Sequence, residues 1–218
     1  MTLNAVARWL HVWWLNRLIA VCVLFNRKEA ALALLRQVVK ADPRDQFARS
    51  SIGNLTAELG RPDEAVQEFR ELISLAPGNA EAWFNLGFLY DQKDELVEAE
   101  NALRKAVALQ PSLDRAWYGL GLILVRSNRL GEAITAFRRT IKLQPFAPYA
   151  YYQLGMTQHN MGLAEDAAKT LAELEKFEPK FAATLRRDMS RLPPQAVPEG
   201  PEETAVQGTK EDRPIEGI

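Results

Sequence analysis

The side chains able to do chemistry on a substrate are few. The 218 residues hold two histidines, His11 and His159, and one cysteine, Cys22. A zinc site needs three or four nitrogen, sulfur or carboxylate ligands at close spacing, and this inventory does not supply the usual set. A Ser–His–Asp relay would rest on His159, and a lone histidine on a helix reads as a surface or groove residue. No glycine-rich phosphate loop and no G-x-S-x-G occurs. Carboxylates are plentiful, but Asp63–Glu64, Glu98 and Glu165–Asp166 fall where helices begin, where they favour the positive end of the helix dipole. The reading is no enzyme, no cofactor and no metal. One cysteine allows no intramolecular disulfide framework, which fits a reducing compartment and a cytoplasmic location.

With no catalytic constellation to position, the elements themselves carry the information. Pro43, Pro77, Pro111, Pro145 and Pro179 lie 34 residues apart. The same step links Ala31, Ala65, Ala99, Ala133 and Ala167, and it links Gly53, Gly87, Gly121 and Gly155. It links Leu18, Ile52, Leu86, Leu120 and Leu154, and also Leu35, Phe69, Leu103, Phe137 and Leu171. Asn26, Gly60, Asp94, Asn128 and Gly162 form a further column, all residue types that tolerate a left-handed backbone. A fixed period of this length means one supersecondary unit copied and stacked.

Residues 80–111 define the unit. Trp83, Leu86, Gly87 and Tyr90 fall at i, i+3, i+4 and i+7, one stripe of a first helix. Asp94 ends it and is expected to cap the next helix. Ala99, Leu103 and Ala106 form the stripe of that second helix, and Pro111 stops it by biasing Gln110 away from the α region. Gly87 and Ala99 are small because the two helices cross closely, and Trp83 is large because it fills the space between neighbours.

This pattern resembles the tetratricopeptide repeat family, whose unit reads W-x2-L-G-x2-Y, then Ala, Phe and Pro. Residues 80–113 match it almost letter for letter. Residues 46–79, 114–147 and 148–181 match well, with Trp117 and Tyr151 at the Trp position, and residues 12–45 match mainly in their second helix. The resemblance implies an all-α, right-handed α-solenoid of five repeats. Two departures stand out. Arg49 replaces the aromatic of the second copy, predicting poorer packing there. Ile19 replaces the close-packing glycine of the first copy, opposite Ala31, so that helix is expected to sit differently.

Three segments lie outside the pattern. Residues 182–192 read as an amphipathic capping helix, with Leu185, Met189 and Leu192 on one face and Arg186, Arg187 and Arg191 on the other. Residues 193–218, with five prolines, three glycines and six acids, read as disordered. Residues 1–25 read as an apolar N-terminal helix that includes the divergent first repeat helix. Leu15, Leu18 and Cys22 keep the repeat register, while apolar residues cover its other faces. Arg17 interrupts a membrane span, and the uninterrupted run Leu18 to Phe25 is far short of the roughly 20 residues a span needs. No small-x-small cleavage site follows Phe25, against a signal peptide. The extra faces are expected to meet a membrane surface, a partner or a second copy.

Net charge is −1, and no concentrated basic stripe points to nucleic acid. Stacked helix pairs curve, and in the family that this chain resembles the first helices line a concave face that binds peptides. The residues there are Asn54; then Phe84, Asn85 and Phe88; then Arg115, Tyr118, Leu122 and Arg126; then Tyr149, Tyr152, Met156 and His159. Aromatics off the packing stripe are enriched where partners dock. Some family members grip a C-terminal carboxylate with Lys, Asn and Arg from three successive helices. Asn54, Asn85 and Arg115 match three of those places, but Ser50 and Gly119 stand where a Lys and an Arg belong, so a carboxylate clamp is disfavoured. The expected function is an interaction scaffold or assembly adaptor holding a protein or peptide segment. The alternative is an assembly or envelope factor tethered to a membrane through residues 1–25.

Overall fold

A computed structural model describes residues 3–192, with side chains from residue 10 onward; the acidic segment 193–218 lies outside the described residues. Eleven α-helices make up all the regular structure described. Five are first helices of a pair, α1 (Leu3–Leu24), α3 (Gln46–Glu58), α5 (Ala80–Gln92), α7 (Asp114–Arg126) and α9 (Pro148–Asn160). Their partners are α2 (Lys28–Ala41), α4 (Pro62–Leu75), α6 (Leu96–Leu109), α8 (Leu130–Leu143) and α10 (Ala164–Phe177), and α11 (Pro179–Arg191) follows.

Each helix packs on the next in sequence. First helices also touch the first helices of neighbouring pairs, α5 on α7 and α7 on α9, whereas no comparable packing joins one second helix to another. The first helices therefore form the inner layer of a curved stack.

The repeating columns have direct physical roles. Asn26, Gly60, Asp94, Asn128 and Gly162 all have positive φ, between 52° and 74°. Each ends a first helix with the paired bonds of a Schellman motif: Asp94 N–H donates to Asp91 C=O at 3.0 Å, and Glu95 N–H donates to Tyr90 C=O at 2.9 Å. Asp94 thus closes α5 and does not cap α6, which corrects the sequence expectation. Its left-handed backbone turns the chain before α6 begins, and Glu95 stands at the N-cap position with no side-chain capping bond, its carboxylate paired with Lys93 instead. The residues before the prolines, such as Gln110 at φ −134°, ψ 85°, are extended as the proline ring demands. The alanine column is fully buried. A Cβ on Gly121 would lie 2.5 Å from the Phe137 ring, and one on Gly87 2.8 Å from Leu103, so only glycine admits these crossings.

Two substitutions in the pattern are explained by geometry. Trp83 and Trp117 donate their indole N–H to Pro77 and Pro111 C=O at 3.0 Å. Arg49 makes the equivalent bond, Nε to Pro43 C=O at 3.0 Å, and adds ion pairs to Glu71 and Glu68. The repeat keeps its tie through a charged group instead of losing it. Ile19 packs with Val12 and Leu15 against Leu32, Leu35 and Val38, so α1 pairs with α2 despite the missing glycine.

The C-terminal element differs from expectation. The capping helix begins at Pro179, not at residue 182, with Pro179 in its first turn and Glu178 serving both α10 and α11. Leu185 and Ala182 are buried, Met189 half-buried, and Leu192 exposed. At the other end α1 is one continuous helix. Its Leu15 is buried, but Leu18 is 45% exposed, against 1–5% for Ile52, Leu86, Leu120 and Leu154 in the same column. That column packs on the preceding repeat, and no helix among the described residues precedes α1.

Candidate functional site

The inner layer carries an apolar recess across α5, α7 and α9. A cavity of about 350 Å³ is lined by Phe84 and Phe88 of α5, Tyr118, Gly119 and Leu122 of α7, and Ala147, Tyr149 and Ala150 around the start of α9. Leu103 and Thr140, from the second helices, contribute behind them. The lining is predominantly apolar with a few polar groups at its edge, the usual composition of a recognition pocket.

The sequence places these side chains for a simple reason. Residues one position after the tryptophan column, Phe84 and Tyr118, turn from the core stripe towards the neighbouring first helix, and Phe88 and Leu122 follow one turn later. Tyr118 packs on Phe137 with ring centroids 5.9 Å apart, and burial pushes its phenol pKa up. Phe88 remains 51% exposed and Tyr149 63% exposed. In the column Ser51, Asn85, Gly119, Gln153, glycine alone has no side chain. A Cβ at Gly119 would meet only Leu103, at 3.4 Å, an ordinary contact. Its absence opens the recess without being required for helix packing.

Two arginines at the edges are paired, while Asp114 also lines the cavity. Arg115 bonds Glu81 at 2.9 Å and lies over the Phe84 ring, 5.0 Å from its centroid. Arg126 is bonded to Asp91 and Asp94. These pairs link successive first helices and bracket an uncharged stretch, separated by about 16 Å at the helical rise per residue. Arg115 is engaged by Glu81, which further removes the basis for a carboxylate clamp.

Of the residues singled out from sequence, Phe84, Phe88, Arg115, Tyr118, Leu122 and Tyr149 converge on this cavity. Asn54 and Asn85 line a neighbouring recess with Phe69, Phe84 and Phe88. Tyr152, Met156 and His159 belong elsewhere. Tyr152 and Met156 pack in the cluster that α11 closes. Tyr152 Oη donates to Asp188 at 2.9 Å, and burial with that bond raises the phenol pKa. His159 Nε2 lies 2.7 Å from Leu192 C=O. Gly119 was the feature missed as a cavity former; its signal was the missing side chain in a groove-facing column.

No group of three or more His, Cys, Asp or Glu able to hold a metal occurs among the described residues. No helix among them is long and apolar enough to cross a membrane.

Comparison with known proteins agrees with this geometry. Tetratricopeptide repeat profiles match residues 25–80, 57–123 and 149–180, and a TPR repeat profile matches residues 121–162. No curated protein matches the sequence significantly. Among solved structures, the MamA protein is 26% identical with a TM-score of 0.70, covering 79% of this chain and 94% of its own. YrrB, described as a TPR protein with an unusual peptide-binding site, is 22% identical with a TM-score of 0.66, covering 78% of this chain and 88% of its own. PilF of Pseudomonas aeruginosa is 18% identical with a TM-score of 0.67, covering 85% and 93%. The columns, the helix pairs and the matched profiles together make this chain a member of the tetratricopeptide repeat family, a helical solenoid of the protein-interaction class.

Proposed function

We propose that this protein is a binding module that holds an extended or helical segment of a partner protein in the concave groove, with one large apolar side chain seated between α5, α7 and α9. The observation that carries the reading is the conjunction at one place of an open apolar cavity and an aromatic, Phe88, that is 51% exposed and packs in no core cluster, beside Tyr149, whose ring is 63% exposed and meets Phe181 of α11 edge-on at 4.9 Å. Such residues cost solubility unless they are covered in use. The polar edge suits backbone and side-chain contacts from the bound segment, while the Glu81–Arg115 and Asp91–Arg126 pairs leave the groove without a strong net charge. Affinity then comes from the apolar anchor and not from electrostatic capture.

An adaptor or assembly role is the use to which such a groove is put, and the description of YrrB as peptide-binding accords with it. The test is a random-peptide display selection against the full chain. Enriched sequences should share one Leu, Ile, Met, Phe or Trp. Their affinity should fall roughly tenfold with Phe88→Ala, at the 1.4 kcal/mol per decade of binding arithmetic. Selection of acidic or carboxylate-terminated peptides with no apolar residue in common would count against the reading.

A further inference from the structure

One carboxylate in the groove lacks the partner that the others have. Among the described residues, every half-buried carboxylate except Asp114 and Glu178 bonds an arginine, a lysine or a backbone N–H. In the preceding repeat Glu81 meets Arg115, Asp91 meets Arg126, and Glu100 meets Arg104 and Arg129. Glu178 sits at the joint of α10 and α11 and lines neither recess of the groove. Asp114 lines the apolar cavity, half-buried, and neither a hydrogen bond nor an ion pair ties its carboxylate to any described residue.

The helix that Asp114 opens does not account for it. A carboxylate in the first turn of α7 gains from the helix dipole. The other first helices manage without one, since Gln46, Ala80 and Pro148 stand in the same column. Asp114 is not a cap either. The N-cap position of α7 is Leu113, which is buried and offers no side-chain acceptor, whereas Asp45 and Asn79 in that column accept from the N–H groups of Ala48 and Ala82.

A carboxylate partly withdrawn from water with no counter-charge is held at a cost, and a cation brought by the occupant removes that cost. The surroundings have the same sign. In and around the cavity mouth four carboxylates, Glu81, Asp91, Asp94 and Asp114, stand with two guanidiniums, those of Arg115 and Arg126. Both guanidiniums are engaged by the first three acids, which leaves Asp114 for the bound segment. Asp114 and Tyr118 are one helical turn apart, roughly 6 Å, and Gly119 follows at the floor of the cavity. An extended segment advances about 3.3 Å per residue. A lysine or arginine within about three positions of a side chain seated over Gly119 therefore reaches Asp114.

We infer that Asp114 is a specificity-determining residue: the segment held in the groove carries a lysine or arginine within about three positions of its apolar anchor, and that cation pairs with Asp114 at the edge of the cavity. The inference rests on the groove reading and adds the chemical class of the segment, which is apolar and basic. The anchor supplies most of the affinity. The pair with Asp114 selects among apolar segments and sets their direction, because the cation lies towards the start of α7.

The test compares random-peptide display selections on the full chain as wild type, Asp114→Asn and Asp114→Lys. The wild type should enrich Lys or Arg close to the shared apolar residue. Asp114→Lys should lose that preference and enrich Asp or Glu at the same place. In calorimetric titrations of the most enriched wild-type peptide, Asp114→Asn should weaken binding roughly fivefold. The same peptide with its basic residue changed to Gln should bind both proteins alike. Asp114→Asn keeps the side-chain shape, so this coupling is readable even where the lysine variant lowers stability. A role confined to the helix start would lower the thermal midpoint of Asp114→Asn without the coupling, and that result overturns the inference. An apolar consensus with no basic residue, or one unchanged in Asp114→Lys, overturns it too and leaves the groove reading standing. A selection with no shared apolar residue overturns the groove reading and this inference with it.

Discussion

The two ends of the solenoid solve the same problem in opposite ways. Each end of a repeat stack leaves a row of apolar side chains without the neighbour that covers it elsewhere. At the C-terminal end α11 supplies that neighbour: Leu185 and Ala182 are fully buried, and Gly155 admits Leu185 so closely that a Cβ would lie 2.7 Å from it. At the N-terminal end α1 leaves Trp14, Leu18 and Val21 exposed. Among the described residues, one end is covered by a capping helix and the other presents exposed apolar side chains. The difference also shapes the groove, because the helix that caps the C-terminal end takes up Tyr152, Met156 and His159. This leaves the proposed binding surface in the middle, over α5, α7 and the start of α9.

The comparison breaks most sharply on a pair of leucines. Leu185→Ala removes a fully buried side chain and should cost about 2–5 kcal/mol, read as a lower unfolding midpoint in denaturant. Leu18→Ala removes an exposed one and should stay within about 0.5 kcal/mol. Equal losses would mean that the two ends are packed alike.

Inside the stack, glycines sharpen the same distinction between covered and uncovered surface. Gly121→Ala drives a methyl group into the Phe137 ring and should destabilise by about 1–3 kcal/mol. Gly131→Ala, on exposed α8 surface with nothing within 4 Å, should stabilise by up to about 0.5 kcal/mol. Opposite signs in thermal melts are the expected result.

A smaller effect comes from the second repeat. Arg49→Leu loses the bond to Pro43 and leaves Glu68 and Glu71 without their partner, at about 1–2 kcal/mol. Burial and the neighbouring Glu71 already raise the Glu68 pKa above its ordinary value. A raised folded-state pKa means that stability is lost as pH rises through it and regained as pH falls. The Arg49→Leu penalty should therefore be largest near neutral pH and shrink on acidification through the raised Glu68 pKa. Urea titrations at several pH values check this.

Much of the fold was legible because the columns record packing that repeats. A proline every 34 residues follows a second helix, a turn residue in the left-handed region closes each first helix, and a buried alanine sits at each crossing. The misreadings arise where identical letters meet different neighbours. Pro179 looks like the four prolines before it, yet it opens α11 directly, since proline suits a first helical turn as well as a stop. Leu18 keeps its column but has no preceding repeat to pack on. Arg49 breaks the aromatic column, yet its Nε reaches the carbonyl that the indole N–H reaches elsewhere. The groove was half legible: side chains leaving the core stripe are visible in sequence, but a cavity made by the missing side chain of Gly119 is visible only once the helices surround it.

The most direct test of the groove is to fill it. Gly119→Leu places a side chain in the cavity, at a helical site where the first added carbon makes only an ordinary contact with Leu103. Calorimetric titration of display-selected peptides into wild type and Gly119→Leu should show the affinity of the variant reduced at least about tenfold, a cost near 1.4 kcal/mol, with its thermal midpoint unchanged or raised. Equal affinity for both proteins would contradict the placement of the binding site between α5, α7 and α9.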